Sequence, residues 1–286
     1  LWYCRRGVYE EDDFTIMFEA KAPPEPVHKP PLDREVLRDV IDLSLWAGQL
    51  LLQHGAESSR IEETVHRLGT GLGADWMDIL VSPNAIAVTT NSGPEFRTKI
   101  RRVVNIGVSL RVLDEINSIS RQVEANEIDR FQVREAMQRI DRMPPEYNRW
   151  LVVGMVGLAC AAFCRLFGGD WPAVAVTAVA AAAAMWVRQE LARRYFNTLI
   201  VVVVTAFVSA LIAGMVAPQV SGEPQAALAA SVLLLVPGVH LINSAEDMIK
   251  GHLVTGLIRG LTGMLITLGI ALGLALALRL TGMAGL

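Results

Sequence analysis

Apolar residues recur at helical spacing through the first folded stretch. Val36, Leu37, Val40, Ile41, Leu45, Leu51 and Leu52 make one broad face, Asp33 suits an N-cap, and Gly55 suits a stop. A second helix is expected at once. Ser59-Arg60-Ile61-Glu62 has capping-box spacing, and Ile61, Val65, Leu68 and Leu72 share a side until Gly71 and Gly73 end it. The period then falls to two. Trp76–Val81, Ala85–Thr90 and Phe96–Val104 alternate, separated by Ser82-Pro83-Asn84 and Asn91-Ser92-Gly93-Pro94, which predicts a small antiparallel meander. Helical spacing returns with Val112, Leu113, Ile116, Ile119 and Val123, then with Phe131, Met137 and Ile140, and Pro144-Pro145 closes the unit. Residues 32–145 therefore read as an α+β domain.

After Trp150 the pattern loses its polar face. Uncharged runs cover 150–164, 171–187, 195–222, 224–245 and 260–278. A bilayer-spanning helix takes about 17–25 mostly apolar residues, so 146–286 reads as a transmembrane domain. Five spans are expected near 150–167, 171–188, 196–217, 225–249 and 252–280, the first two marginal in length. The alternative is four spans and one re-entrant segment. The predicted fold class is thus an α-helical membrane protein of about five transmembrane helices, one broken at Pro237-Gly238, with an N-terminal cytosolic α+β domain.

Charge sharpens the division. Residues 1–149 hold 19 basic and 24 acidic residues, and 150–286 hold 7 and 5. About a quarter of a soluble domain is charged, so a single soluble globule is excluded; a hydrophobic content of 52% excludes a disordered chain. Arg188, Arg193 and Arg194 lie between spans two and three, and Lys250 and Arg259 around the link between four and five; Pro218–Pro224 has no basic residue. Basic loops stay in the cytoplasm, which puts the α+β domain inside and the C-terminus outside, although Arg165 and Arg279 lie toward the outer ends. Residues 1–31 end in Pro23, Pro24, Pro26, Pro30 and Pro31 and read as a flexible proline-rich leader. Its acidic residues are not what a secretory signal is expected to carry. Three cysteines make no disulfide framework: Cys4 is near the start, and Cys160 and Cys164 read as packing residues.

The fourth span carries the most specific chemistry. Pro237-Gly238 interrupts it, and the carbonyls freed by such a break must face protein or a wet cavity. Beyond it, His240, Ser244 and Asp247 fall on one stripe with Asn243 beside them, the pattern of a mid-membrane transporter site. A plainer reading makes Glu246, Asp247 and Lys250 the solvated end of the helix and Pro237 a packing kink. Arg259, inside span five, is a costly charge expected to face the bundle or snorkel, with Asp247 or a substrate carboxylate as partner. Gly256/Gly260 and Gly269/Gly273 permit close helix packing. Thr205 and Ser209 either line a path or bond back to their own helix. Gly69–Gly73 ends a helix, which is the wrong context for a nucleotide loop. His28, His54, His66, His240 and His252 lack metal-ligand spacing with the cysteines, and the balanced charges give no nucleic-acid footprint. Neither a metal nor another cofactor is expected.

Two separated segments resemble one known family. His54-Gly55-Ala56-Glu57-Ser58-Ser59-Arg60-Ile61-Glu62-Glu63-Thr64, with Leu68 and Gly73 after it, is similar to the N-terminal signature of the threonine/serine exporter (ThrE) family. Val236-Pro237-Gly238, Asn243, Asp247, Gly251, Gly256 and Arg259 are similar to its second signature, and the resemblance covers roughly 33–280. It implies a multi-pass protein of the bacterial inner membrane that is not an enzyme. Proton-gradient-driven efflux of threonine and serine, or of dicarboxylates such as succinate in a split subfamily, is the implied activity. Full-length members have about ten spans, so five resemble the split arrangement, with a small membrane subunit supplying the remaining helices. Homo-oligomerisation is compatible with the same pattern.

These readings assign the substrate and proton pathway to Pro237, Gly238, His240, Asn243, Ser244, Asp247 and Arg259, with Glu246, Thr205 and Ser209 secondary. Gly55, Glu57, Arg60 and Glu62 are the cytosolic motif, while exposed helical charges of the domain such as Arg60 and Glu63 read more as a solvated face than as a site. Arg259 would attract a substrate carboxylate while His240 or Asp247 exchanges a proton, burial being what brings a carboxyl into a titrating range. The alternative function is an accessory or sensor subunit whose cytosolic domain gates a separate transporter.

Overall fold

The computed structural model describes residues 31–103, 107–144 and 147–283. Residues 1–30 of the expected leader (1–31), Val104 and Pro145 lie outside the described residues.

Two helices open the N-terminal unit: α1 (Arg34–Gln53) and α2 (Ser58–Gly71). Asp33 stands at the N-cap of α1 without a side-chain cap bond, and Gly55 adopts φ +85°, where a side chain is strained. The expected capping box of α2 is corrected. The helix starts one residue before Ser59, with Glu57 at the N-cap and no local side-chain cap. Its cap comes from another part of the chain.

The meander forms as β1 (Trp76–Ser82), β2 (Ala85–Ser92) and β3 (Glu95–Arg102), antiparallel in the order β1-β2-β3. Met77, Val81, Ile86 and Val88 are buried on its inner face and join the core made with α1 and α2. On β3 the charged side faces inward: Lys99 pairs with Asp42, and Arg101 donates to Gln49, both on α1. Phe96 and Ile100 consequently face out, and so do Trp76 and Leu80 of β1. Two helices complete the unit, α3 (Leu110–Glu124) and α4 (Arg130–Asp141), the second opened by a capping box between Asp129 and Gln132. Val112, Ile116, Val123, Val133 and Met137 reach the same core.

The second unit is helical throughout: α5 (Arg149–Leu166), α6 (Trp171–Arg193), α7 (Thr198–Val220), α8 (Pro224–Ser231), α9 (Gly238–Ile249) and α10 (Leu253–Thr281). Four of these, α5, α6, α7 and α10, are long and apolar enough to cross a bilayer. The pair from α8 to α9 makes a fifth if counted as one span, but it is bent by 62°. Two length expectations are corrected. The second span is not short, since α6 runs on to Arg193; the fourth is broken over Val232–Pro237, with a 3-10 turn at Leu233–Leu235, rather than at Pro237-Gly238 alone.

The freed backbone at this break is satisfied by other helices, as a low-dielectric setting requires. Ser209 of α7 donates to the Ser231 carbonyl at 2.7 Å, and Arg188 of α6 approaches the Leu234 carbonyl at 3.4 Å. Ser209 therefore bonds across helices rather than back along its own. Thr205 does bond back, to Val201 at 2.6 Å. Cys160 and Cys164 are free and buried in the packing.

The small-residue pairs of α10 mark its two contacts. A Cβ at Gly273 would lie 2.4 Å from the Val203 carbonyl of α7, and one at Gly256 would lie 2.8 Å from the Ser244 carbonyl of α9. At the end of the bundle opposite the α+β unit, Asp170 caps α6 through the Ala173 amide and accepts from Ser221 and Gly222, pinning the α7–α8 loop.

Candidate functional site

The two sequence segments that resembled family signatures, about 190 residues apart, meet in space. The α1–α2 loop from Gly55 and the first residue of α2, Ser58, lie against α9 and the first turns of α10. Asn243 Nδ2 donates to the Gly55 carbonyl at 2.7 Å, and Arg259 Nη2 donates to the Ala56 carbonyl at 3.0 Å. The Ser58 amide donates to Asp247 Oδ1 at 2.8 Å, so Asp247 supplies the cap that α2 lacks locally. Lys250 Nζ donates to Glu57 Oε1 at 2.9 Å and to Glu246 Oε1 at 2.8 Å.

Asp247 is fully buried, and its Oδ2 lies 2.8 Å from Arg259 Nη1, whose side chain is 12% exposed. That contact is an ion pair without hydrogen-bond alignment: Oδ2 and Nη1 both keep unused hydrogen-bonding capacity. Glu57 Oε2 and Ser58 Oγ are likewise buried without partners. These last two are the costly ones, because a buried polar atom with no partner costs roughly 1–3 kcal/mol.

Beside this joint is a small cavity of about 80 Å³, lined by Leu52, Gly55, Val108, His240, Asn243 and Arg259 among others. His240 is half-buried and has no hydrogen-bonding partner among the described residues. Ser244 points away from the cavity and donates to the Gly256 carbonyl at 2.7 Å, clamping α9 to α10. Buried Pro237 and the following Gly238 set the direction in which α9 leaves the bundle.

The remaining expected residues are distributed as follows. Glu246 joins the Glu57–Lys250 group; Thr205 and Ser209 lie in the bundle, where they make the helix bonds given above. Arg60 is exposed and 3.9 Å from Glu57, a weak contact in water. Glu62 faces His252, at 3.5 Å. Burial pushes the Glu57 carboxyl above its usual range, assisted by the Glu246 carboxyl, and burial does the same to Glu62. Lys250 is held above its usual range by Glu246 and then Glu57.

Sequence reasoning missed Ser58, Lys250, His252 and Thr255 as parts of this joint. Lys250 was legible as the i+4 partner of Glu246. Thr255, whose hydroxyl points to the Val81 carbonyl at 3.4 Å, had no local signal. A wider cleft of about 570 Å³ lies on the α+β unit between Glu62, Arg67, Asp78 and Glu124. It is an open charged face, with Arg67 paired to Glu63 and Glu124.

Residues 42–281 match the ThrE family, described as “Putative threonine/serine exporter”. The chain belongs to this family. A protein of Escherichia coli (strain K12), “Probable succinate transporter subunit YjjP”, is 40% identical over 256 residues, 89% of this chain and 99% of that protein. A Klebsiella aerogenes protein of the same name is 40% identical over 255 residues, 88% of this chain and 98% of its own. The “Threonine/serine exporter” of Corynebacterium glutamicum is 25% identical over 261 residues, 87% of this chain but 53% of that protein. No solved structure matches. Family and apolar helices together make this exporter-family chain a multi-pass membrane protein.

Proposed function

We propose that the chain exports small carboxylate-bearing solutes from the bacterial cytoplasm, succinate first and threonine or serine second. It acts as one subunit of a two-component, proton-driven exporter in the inner membrane. The observation that carries this reading is the buried Asp247–Arg259 pair beside the cavity at the broken helix. A substrate carboxylate competes with Asp247 for the Arg259 guanidinium, whose planar fork suits either. Asp247 takes up a proton on the outer side after the carboxylate has left and gives it to the cytoplasm before the next one binds, and His240, which lines the cavity, is the second candidate for proton exchange. Each turnover thus trades a proton for a carboxylate at one cation.

The substrate preference rests on the succinate relatives, which align over nearly their whole length. Their printed name, “subunit”, supports a companion, as does the alignment to only about half of the Corynebacterium protein. A cytoplasmic α+β domain with the C-terminus outside is part of this reading and is supported by the basic links. The test is reconstitution into vesicles with and without the companion, under an imposed pH gradient, comparing labelled succinate, threonine and serine. Gradient-dependent succinate movement is expected, abolished by Asp247→Asn with the protein still in the membrane. Full transport by that variant overturns the exchange role of Asp247.

A second reading, an accessory or sensor subunit, draws support from Asn243, Asp247, Lys250 and Arg259, which grip the start of the α+β unit's second helix and the loop before it. A ligand moving the α+β domain would be felt at the break. Transport by the companion alone would favour it.

A further inference from the structure

The α1–α2 joint holds a group that the exchange at Arg259 does not use. Glu57 comes from the α+β unit and Glu246 from α9, and Lys250 Nζ reaches both, at 2.9 and 2.8 Å. The Glu57 side chain is only 9% exposed, and no donor reaches its Oε2. Because one ammonium reaches both, the Glu57 and Glu246 carboxyls are held side by side across the joint. Two carboxylates are two acceptors, and only a proton makes a bond of that contact. Ionising both would set like charges side by side around a single ammonium.

The other charges facing Glu57 do not relieve this. Arg60 on its own helix is 3.9 Å away and 56% exposed, so water screens it. Arg259 of α10 is committed to its closer partner Asp247 of α9.

We propose that Glu57 and Glu246 bind one proton between them, and that this shared proton latches the α+β domain onto the broken helix. Release of the proton to cytosolic water leaves two carboxylates opposed across the joint. The loop then separates from α9, uncovering Arg259 and the cavity toward the cytoplasm. The latch itself stands on the joint alone; its place in a transport cycle rests on the export reading above. In that cycle, opening inward requires a proton to leave, the condition an exporter driven by inward proton flow needs.

The sign follows from burial, which raises the Glu57 carboxyl above its ordinary 4.5. Docking is fully favoured below that value and weakens as pH rises through the higher value of the docked state.

The test uses the full chain in lipid nanodiscs with Cys4, Cys160 and Cys164 replaced. Spin labels go on exposed His66→Cys in α2 and exposed Ile249→Cys in α9, and distances are measured by pulsed spin resonance from about pH 5 to about pH 9. One short distance is expected at low pH, with a second, longer population growing as pH rises. Glu57→Gln and, separately, Glu246→Gln should each remove the longer population at every pH, since an amide cannot ionise. Glu57→Asp should restore it. The two Gln variants come from different units, so misfolding of one leaves the other informative. A pH-independent distance in the parent chain, or an unchanged pH response in both Gln variants, overturns the latch. Failure of succinate transport with an intact pH-dependent distance would sink the export reading and leave the latch standing.

Discussion

Removing Asp247 should cost more than any other single change in the joint, and the cost should be shared with Arg259. In Asp247→Ala, the Ser58 amide loses its acceptor and the Arg259 guanidinium, 12% exposed, loses its counter-ion. Deleting one member of a buried pair costs about 3–5 kcal/mol, and loss of a helix cap adds about 1 kcal/mol. Arg259→Gln alone strands a fully buried carboxylate, again at about 3–5 kcal/mol. The double variant strands no charge. It should cost little more than either single change, so the coupling should be on the order of 3 kcal/mol. The assay is urea unfolding of the full chain in mild detergent, followed by fluorescence of Trp46, which packs against the α+β core, with the other five tryptophans replaced by Phe. If the two single costs add within about 0.5 kcal/mol, the residues are independent and the buried-pair argument fails.

Gly256→Val should separate α9 from α10, because even a Cβ falls 2.7 Å from Met248 Cγ and 2.8 Å from the Ser244 carbonyl; a thermal melt should register about 1–3 kcal/mol. Ser209→Ala should destabilise by about 1–3 kcal/mol by stranding the buried Ser231 carbonyl, whereas Thr205→Val, losing only a bond within its own helix, should cost less in the same melt. The Ser221 hydroxyl and backbone amides hold the Asp170 carboxyl below its usual 3.8, so its grip on the α7–α8 loop persists above that value and is lost as pH falls below it. A spin label at Gly222→Cys should therefore stay immobile down to about pH 4 and become mobile in stronger acid.

Local signals carried most of the elements. The two-residue period and the turn residues located all three strands, and the glycine after α1 takes the left-handed conformation that makes it a stop. They failed where the deciding partner was remote. Ser59 had capping-box spacing, yet the helix starts earlier because Asp247 offers its N-terminus a buried carboxylate. The same holds for Ser209, whose partner lies across the bundle, and for the break before Pro237. Proline explains the start of α9; the earlier end of α8 depends on groups from α6 and α7 that donate to the loose carbonyls. For the candidate site, sequence spacing indicated the polar stripe and the arginine. It did not indicate that Gly55–Ser58 would close over them.

The Ser58–Asp247 bond joins residues 189 apart in the chain. At roughly 5–20 residues per second, synthesis takes about ten to forty seconds to reach Asp247 after Ser58 has been made. Throughout that interval α2 exists with its first amide uncapped and the loop's carbonyls open to water. Until then the α+β unit has only its own core to hold it, and the joint forms late in assembly. Truncation before α9 should release a folded but undocked N-terminal unit, and quality control acting on the nascent chain would find its weakest point at this loop.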